Sequence, residues 1–199
     1  MKLLCFVDLH GDVNYLKKLV KRASADDVDL VICAGDLTNF EDKIRYLLRA
    51  LNSIGKKVLL IQGNHESEES LKEAAGDYSN VVFFNRRAVK KGGYVFLGYG
   101  EGGFALEEPQ SFRKLARKWY GEYQKENVVL VSHGPPFGTK IDRLGNRYTG
   151  SKDVRAFIER IKPKLVICGH LHETAGLKDK IGETLVINPG WEGMTVELK

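Results

Sequence analysis

The chain has 199 residues, of which 43% are hydrophobic and 29% charged, with a formal net charge of +5. That length suits one substantial domain rather than two, and the composition is that of a globular protein, not of a disordered or fibrous one. No apolar stretch reaches the roughly 20 residues of a membrane span. The sequence enters an apolar run at once without a basic leader, so a cytoplasmic location and a single domain over residues 1–199 are expected.

The first half alternates apolar runs with helical patterns. Residues 3–7, 30–34 and 58–61 are short and rich in Val, Ile and Leu, the signature of strands buried on both faces. Between them, Val13, Leu16, Leu19, Val20 and Ala23 mark one helical face, and Ile44, Leu47, Leu48, Leu51 and Ile54 another. Ser67, followed by Glu68 and Glu69, reads as the start of a third helix, where acids suit the dipole. This is a βαβαβα order, which implies parallel strands joined by crossover helices.

The middle changes character. Residues 81–84, 88–89 and 94–97 read as short strands, and 99–104 as a mobile loop. Ser111 is expected to cap an amphipathic helix carrying Phe112, Leu115, Ala116, Trp119, Tyr120 and Tyr123. A strand at 128–131, a helix with Val154, Phe157, Ile158 and Ile161 stopped by Pro163, and a strand at 165–168 follow. Strands at 174–177, 180–181, 184–187 and 194–198 are expected to end the chain. Basic pairs such as Arg86-Arg87 and Lys90-Lys91 are interleaved with acids, so they read as solvated faces rather than a nucleic-acid stripe. Cys5, Cys33 and Cys168 lie inside apolar runs; three thiols make a poor disulfide framework, and filling the core is their expected role.

Every histidine of the chain falls just beyond an apolar run. Asp8 and His10 follow the first, Asp36 the second, Asn64 and His65 the third; His133 follows residues 128–131, and His170 and His172 follow 165–168. In open α/β sheets the carboxyl ends of strands are where ligands bind. Any one of these motifs could be an ordinary turn or cap, but together they bring oxygen and nitrogen donors to one rim. That mixture suits Mn, Fe, Zn or Mg better than a soft metal. Asp36 could bridge two cations. The i, i+2 pairs Asp8/His10 and His170/His172 would each face one way in an extended segment.

The ordered blocks Asp8-Leu9-His10, Gly35-Asp36, Gly63-Asn64-His65-Glu66, Ser132-His133-Gly134 and Gly169-His170-Leu171-His172 resemble the calcineurin-like metallophosphoesterase superfamily, in its compact single-domain form. The resemblance spans about residues 3–190. It implies a four-layer αββα sandwich of mixed sheets. It implies one metal held by Asp8, His10, Asp36 and His172, and a second by Asp36, Asn64, His133 and His170. The two divalent ions are expected to be Mn²⁺, with Fe, Zn, Ni, Co or Mg as alternatives.

The resemblance also implies hydrolysis of a phosphate ester by a hydroxide that bridges the metals. Asn64 and His65 would bind the phosphate, and His65 would protonate the leaving group, a role an imidazole suits near neutral pH. Glu66 either orients His65 or serves the helix start. The expected substrate is a small phosphodiester or cyclic nucleotide, with nucleic acid less favoured; the alternatives are phosphomonoester hydrolysis or a non-catalytic scaffold of the same fold. Loops at 99–104 and 137–148 are expected to border the pocket, with Phe104, Phe137, Arg143 and Tyr148 either meeting a leaving group or packing locally.

Overall fold

The computed structural model describes residues 1–25, 27–100 and 109–199, and the side chains of all of these except 109–111. Of the loop expected at 99–104, residues 101–104 lie outside that set, Phe104 among them, whereas Tyr99 is instead the last residue of a buried strand. β1 (Lys2–Phe6), β2 (Leu30–Cys33), β3 (Val58–Leu60) and β4 (Val81–Phe83) run parallel, and β13 (Met194–Glu197) pairs antiparallel with β1 to complete a five-stranded sheet. The second sheet has six strands in the order β11-β12-β10-β7-β6-β5: Lys178–Ile181, Thr184–Ile187, Leu165–Ile167, Asn127–Ser132, Tyr94–Tyr99 and Ala88–Lys91. Its four central strands are parallel and both edges antiparallel. A short hairpin, β8 (Arg143–Leu144) and β9 (Arg147–Tyr148), stands apart.

Side chains alternate across each strand, and β1 shows how this builds layers. Leu3, Cys5 and Val7 pack between the sheets with Leu30, Ile32, Phe96, Val129, Val131 and Ile167. Leu4 and Phe6 face the other way, onto α1 (Val13–Ala23), α2 (Ile44–Asn52) and α3 (Glu68–Gly76). The second sheet turns Leu97, Leu130, Val166 and Val186 onto α4 (Pro109–Tyr123) and α5 (Lys152–Ile161) through Phe112, Trp119, Val154, Phe157 and Ile158. Four layers result, helices–sheet–sheet–helices. The three cysteines are fully buried and unpaired with one another. Burial in apolar surroundings raises each thiol far above its ordinary range, which makes them inert space-fillers.

Helix starts follow their caps. The Asp12 carboxylate accepts from the backbone N–H of Asn14 and Tyr15, Ser67 Oγ accepts from Ser70 N–H, and Ser151 Oγ from Val154 N–H. Lys162 ends α5 in the left-handed region (φ 52°), directly before Pro163. Two expectations fail. α4 starts at Pro109, so Ser111 lies within the helix rather than capping it; proline is well suited to a first helical position, where its missing N–H has no partner to lose. Residues 174–177 are not a strand: His172–Thr174 form a 3₁₀ turn, and pairing begins only at Lys178.

Candidate metal centre at the strand ends

β1, β2 and β3 of one sheet and β7 and β10 of the other direct their carboxyl ends to a common rim, where all the candidate ligands and His65 meet. The floor is buried. Asp36 Oδ2 lies 3.4 Å from His133 Nε2, 3.7 Å from His10 Nε2 and 3.9 Å from His65 Nε2. Asn64 Oδ1 is shared by His133 Nε2 at 3.0 Å and His170 Nδ1 at 2.8 Å, and His10 and His172 meet through Nε2 atoms 2.9 Å apart. The Asp8 carboxylate accepts from the backbone N–H of His170, 162 positions along the chain. Asp8, Asp36 and His133 are almost completely buried, His10, His65 and His170 half-buried, and Asn64 and His172 exposed at the mouth.

The backbone that achieves this is not extended. Asp8, His10, Asp36 and His170 have φ of 55°, 47°, 48° and 70°, so the i, i+2 pairs converge through left-handed turns rather than by strand alternation. Such conformations cost free energy for residues with a Cβ and persist where surrounding structure over-determines them, as at functional sites. The glycines of the motifs owe their place to close approach. A Cβ at Gly63 would fall 2.0 Å from Asp36 Oδ1, and one at Gly169 would fall 2.3 Å from Val7 and 2.9 Å from Asp8 Oδ2.

Electrostatics separate the members. Burial favours the neutral carboxyl and raises Asp8 to about 6. Burial pushes Asp36 the same way, but hydrogen bonding and charge from His133 and the backbone N–H of His65 prevail and hold it at about 2. For His133 burial opposes the charged ring, yet Asp36 and Asp8 raise it to about 9. His170 is lowered to about 4 by burial and by the His133 charge, and His10 is lowered chiefly by burial. His133 Nδ1 lies 3.0 Å from the carbonyl oxygen of Ala34, which only accepts; Nδ1 therefore carries a hydrogen and Nε2 is aimed at the cluster.

The donor set fits divalent cations. Ligand atoms of Asp8, His10 and His172, of Asp8, Asp36 and His133, and of His10, Asp36 and His65 each lie within 4.8 Å of one another. Linked groups of hard oxygen and imidazole nitrogen donors, with carboxylates shared between groups, make a centre for more than one ion.

Three residues that shape the site were not singled out in sequence, and a fourth, Glu66, has a different role from either expected. Glu66 does not reach His65: its carboxylate accepts from the Thr38 N–H and hydroxyl and from the Gly63 N–H, stapling the loops after β2 and β3 together. Burial raises its pKa. Asn188, fully buried, donates from Nδ2 to Leu171 O and Thr174 Oγ1 and so braces the turn that carries His172. Phe40 packs on the His65 ring, and Trp191 meets His172. A polar residue directly after a strand and an apolar one in a polar loop were the available hints. Phe137, by contrast, packs with Tyr148 and Lys152, and Arg143 bonds Gly145 O, while Ile141 O of the same loop accepts from Thr174 Oγ1 at 2.9 Å and so joins the loop to the turn that carries His172.

A two-sheet sandwich with clustered carboxylates and histidines at the strand ends is the architecture of a metal-dependent phosphoester hydrolase. The chain belongs to the calcineurin-like phosphoesterase family, whose model matches residues 1–174. It is 29% identical over 199 residues to the uncharacterized protein MJ1162 of Methanocaldococcus jannaschii, covering 95% of this chain and 88% of that one. Its fold is similar to that of TT1561 of Thermus thermophilus (TM-score 0.80, 17% identity, 96% and 90% of the two chains). It is also similar to that of an archaeal phosphodiesterase (TM-score 0.58, 18% identity, 96% and 84%). No helix among the described residues is long and apolar enough to cross a membrane.

Proposed function

We propose that this protein hydrolyses small phosphodiesters or cyclic nucleotides at a two-cation centre whose donors suit Mn, Fe, Zn or Mg, with manganese the ion that the family resemblance favours. Asp8, His10, Asp36 and His172 would hold one cation and Asp36, Asn64, His133 and His170 the other. Two cations so held supply a clamp for the phosphoryl oxygens and an acidified water as nucleophile. The observation that carries the reading is the position of His65. Its backbone N–H is tied to Asp36 Oδ1 at 3.0 Å, and its ring sits at the edge of the cluster with Nδ1 free of any hydrogen bond among the described residues. A ring nitrogen of His65 lies within 4.8 Å of donor atoms of His10 and Asp36, and an imidazole so tethered beside bound phosphate, if left out of both ligand sets, would give a proton to the departing oxygen.

Two features support a diester over a monoester. Among the described residues, the ion pairs of the cluster are all between Asp36 and histidines, and no lysine or arginine pairs with its carboxylates. A dianionic monoester gains more from an added cationic side chain than a monoanionic diester does. Beside His172, a cavity of about 360 Å³ lined by Pro189, Trp191 and Met194 offers room for a second organic substituent.

Purified protein should hydrolyse bis-p-nitrophenyl phosphate in the presence of Mn²⁺ faster than p-nitrophenyl phosphate. Faster turnover of the monoester would reverse the substrate order. Inactivity toward both with two metals bound, across Mn, Fe, Zn, Co, Ni and Mg, would leave only a binding scaffold. On a diester with a basic alkoxide leaving group, which nitrophenyl esters lack, His65→Ala should keep its metal content and lose turnover by roughly 10²–10⁴-fold, the usual share of a general acid.

A further inference from the structure

The cavity beside His172 has two walls, and one buried residue holds both. Ala175 and Gly176 form the first wall; Pro189, Trp191 and Met194 belong to the second. Asn188 accepts from Gly176 N–H through its carbonyl oxygen at 2.9 Å and from Gly190 N–H through Oδ1 at 3.0 Å. Its Nδ2 donates to Leu171 O and Thr174 Oγ1 in the turn that carries His172. Beyond it, Gly190 O accepts from Val7 N–H, and Arg22 of α1 donates from Nη1 to Glu192 O and Gly193 O. The walls close on each other where a Cβ at Gly190 would fall 2.9 Å from the Ala175 Cβ. The fold, rather than an occupant, therefore sets the shape of this space.

Its chemistry is unlike that of the donor cluster. The volume, about 360 Å³, is that of a small-molecule site, and exposed Glu192 is the one acidic side chain in the lining. Ala175 and Pro189 are apolar and indifferent to the shape of a guest. Trp191 and Met194 are not: an indole prefers a second aromatic ring, and a thioether makes favourable contacts with one. Trp191 is itself held in place, edge-on between Tyr15 and His172 at centroid distances of 6.5 and 6.0 Å.

His172 joins the cavity to the cluster. On one side it offers a ligand atom to the group with Asp8 and His10, its Nε2 lying 2.9 Å from that of His10; on the other it lines the cavity. A phosphate held at that group stands one imidazole away from Trp191. Asp8, Asp36 and His133 fill the floor beneath, so a substituent on phosphorus has no room in that direction.

We propose that the cavity is the subsite for one organic arm of the phosphate ester and that Trp191 makes it selective for a planar aromatic arm. This rests on the phosphoesterase reading of the centre. The cations hold the phosphoryl oxygens alike in every substrate, and selectivity comes from the one arm, retained or departing, that lies against the indole.

The test uses phenylphosphonate and cyclohexylphosphonate as inhibitors of bis-p-nitrophenyl phosphate hydrolysis by metal-loaded protein, at a pH where both are dianions. Each carries a single ring of similar size on a C–P bond that ester hydrolysis leaves intact. Phenylphosphonate should bind more tightly by roughly three- to tenfold, the worth of one aromatic contact. Trp191→Leu, which keeps apolar bulk, should bring the two inhibition constants within about twofold of each other, and Trp191→Phe should keep them apart. No preference in the unaltered protein, or no competition by either phosphonate, would overturn the subsite. So would a preference that survives in Trp191→Leu while both constants weaken equally, since Trp191 would then merely support His172. If the unaltered protein with two metals bound does not turn over the diester at all, it is the phosphoesterase reading that has failed.

Discussion

The floor and the rim of the centre are built on opposite terms. On the floor, Asp8, Asp36 and His133 are sealed from water, the carboxylates fixed by backbone N–H groups, His133 by the Ala34 carbonyl, and all by glycines that admit no Cβ. On the rim, Phe40 packs on His65 and Trp191 meets His172 edge-on, with Phe40 exposed and Trp191 half-buried. Tolerance to displacement differs accordingly. A misplaced ångström on the floor alters the distance between charges in a low dielectric, where interactions are strongest. The same displacement on the rim alters only stacking, worth about 0.5–1.5 kcal/mol.

The severest test of that contrast is Gly63→Ala. Its methyl group would overlap Asp36 Oδ1, and the neighbouring atoms are backbone and carboxylate rather than a flexible side-chain tip. Loss of metal binding and a fall in turnover of more than about 10²-fold are expected, because displacement of catalytic groups by about 1 Å costs that much. Metal analysis and kinetics on the purified variant check both, and a variant with full metal and activity would show that the floor yields.

The next effect concerns charge. In metal-free protein, Asp8, raised to about 6, contributes stability that is full below the unfolded value of 3.8 and lost as pH rises through 6. His170, lowered to about 4, runs the other way: its contribution is full above 6.5 and lost as pH falls through 4, so the two oppose each other in acid. His133 acts alone at higher pH; raised to about 9, it stabilises fully below 6.5 and ceases to do so as pH passes 9. Melting temperature of metal-free protein should therefore decline between about pH 6.5 and 9 while bound metal, which displaces the His133 proton, reverses the decline. Asp8→Asn should stabilise the metal-free form near neutrality, by on the order of 1–3 kcal/mol, and weaken metal binding. A variant destabilised with and without metal would show that Asp8 is needed for packing rather than for charge.

The smallest effect belongs to the hairpin loop. Phe137→Ala should change kcat/KM for bis-p-nitrophenyl phosphate by less than about twofold, because its contacts run to Tyr148 and Lys152 and not to the centre. A larger change would extend the rim to residues 137–148.

The parts legible in sequence are those with a short-range signal. Apolar runs of four or five residues located the strand ends, and all five histidines marked the rim; the family resemblance implied a separate role for His65. What was illegible depends on three-dimensional closure. That Asp8 and His10 face one site was anticipated, but through extended geometry, whereas both residues are left-handed in a turn whose N–H groups bond Gly35 O and Asp36 O. Glu66 reads locally as a helix-start acid, and only the approach of Thr38 and Gly63 makes it a staple. Phe40 in a polar stretch carries no periodicity at all.

The molecule becomes competent late. Asp8 precedes His170 by 162 positions, and β1 pairs with β13, almost the whole chain apart. During synthesis, early segments can collapse around α1, α2 and α3 long before His170 and His172 exist. Ions arriving then find Asp8, His10, Asp36 and Asn64 without their partners from the second sheet. Cations at the proposed centre would therefore be captured tightly only once the second sheet has been made, sealing a formed fold rather than nucleating it.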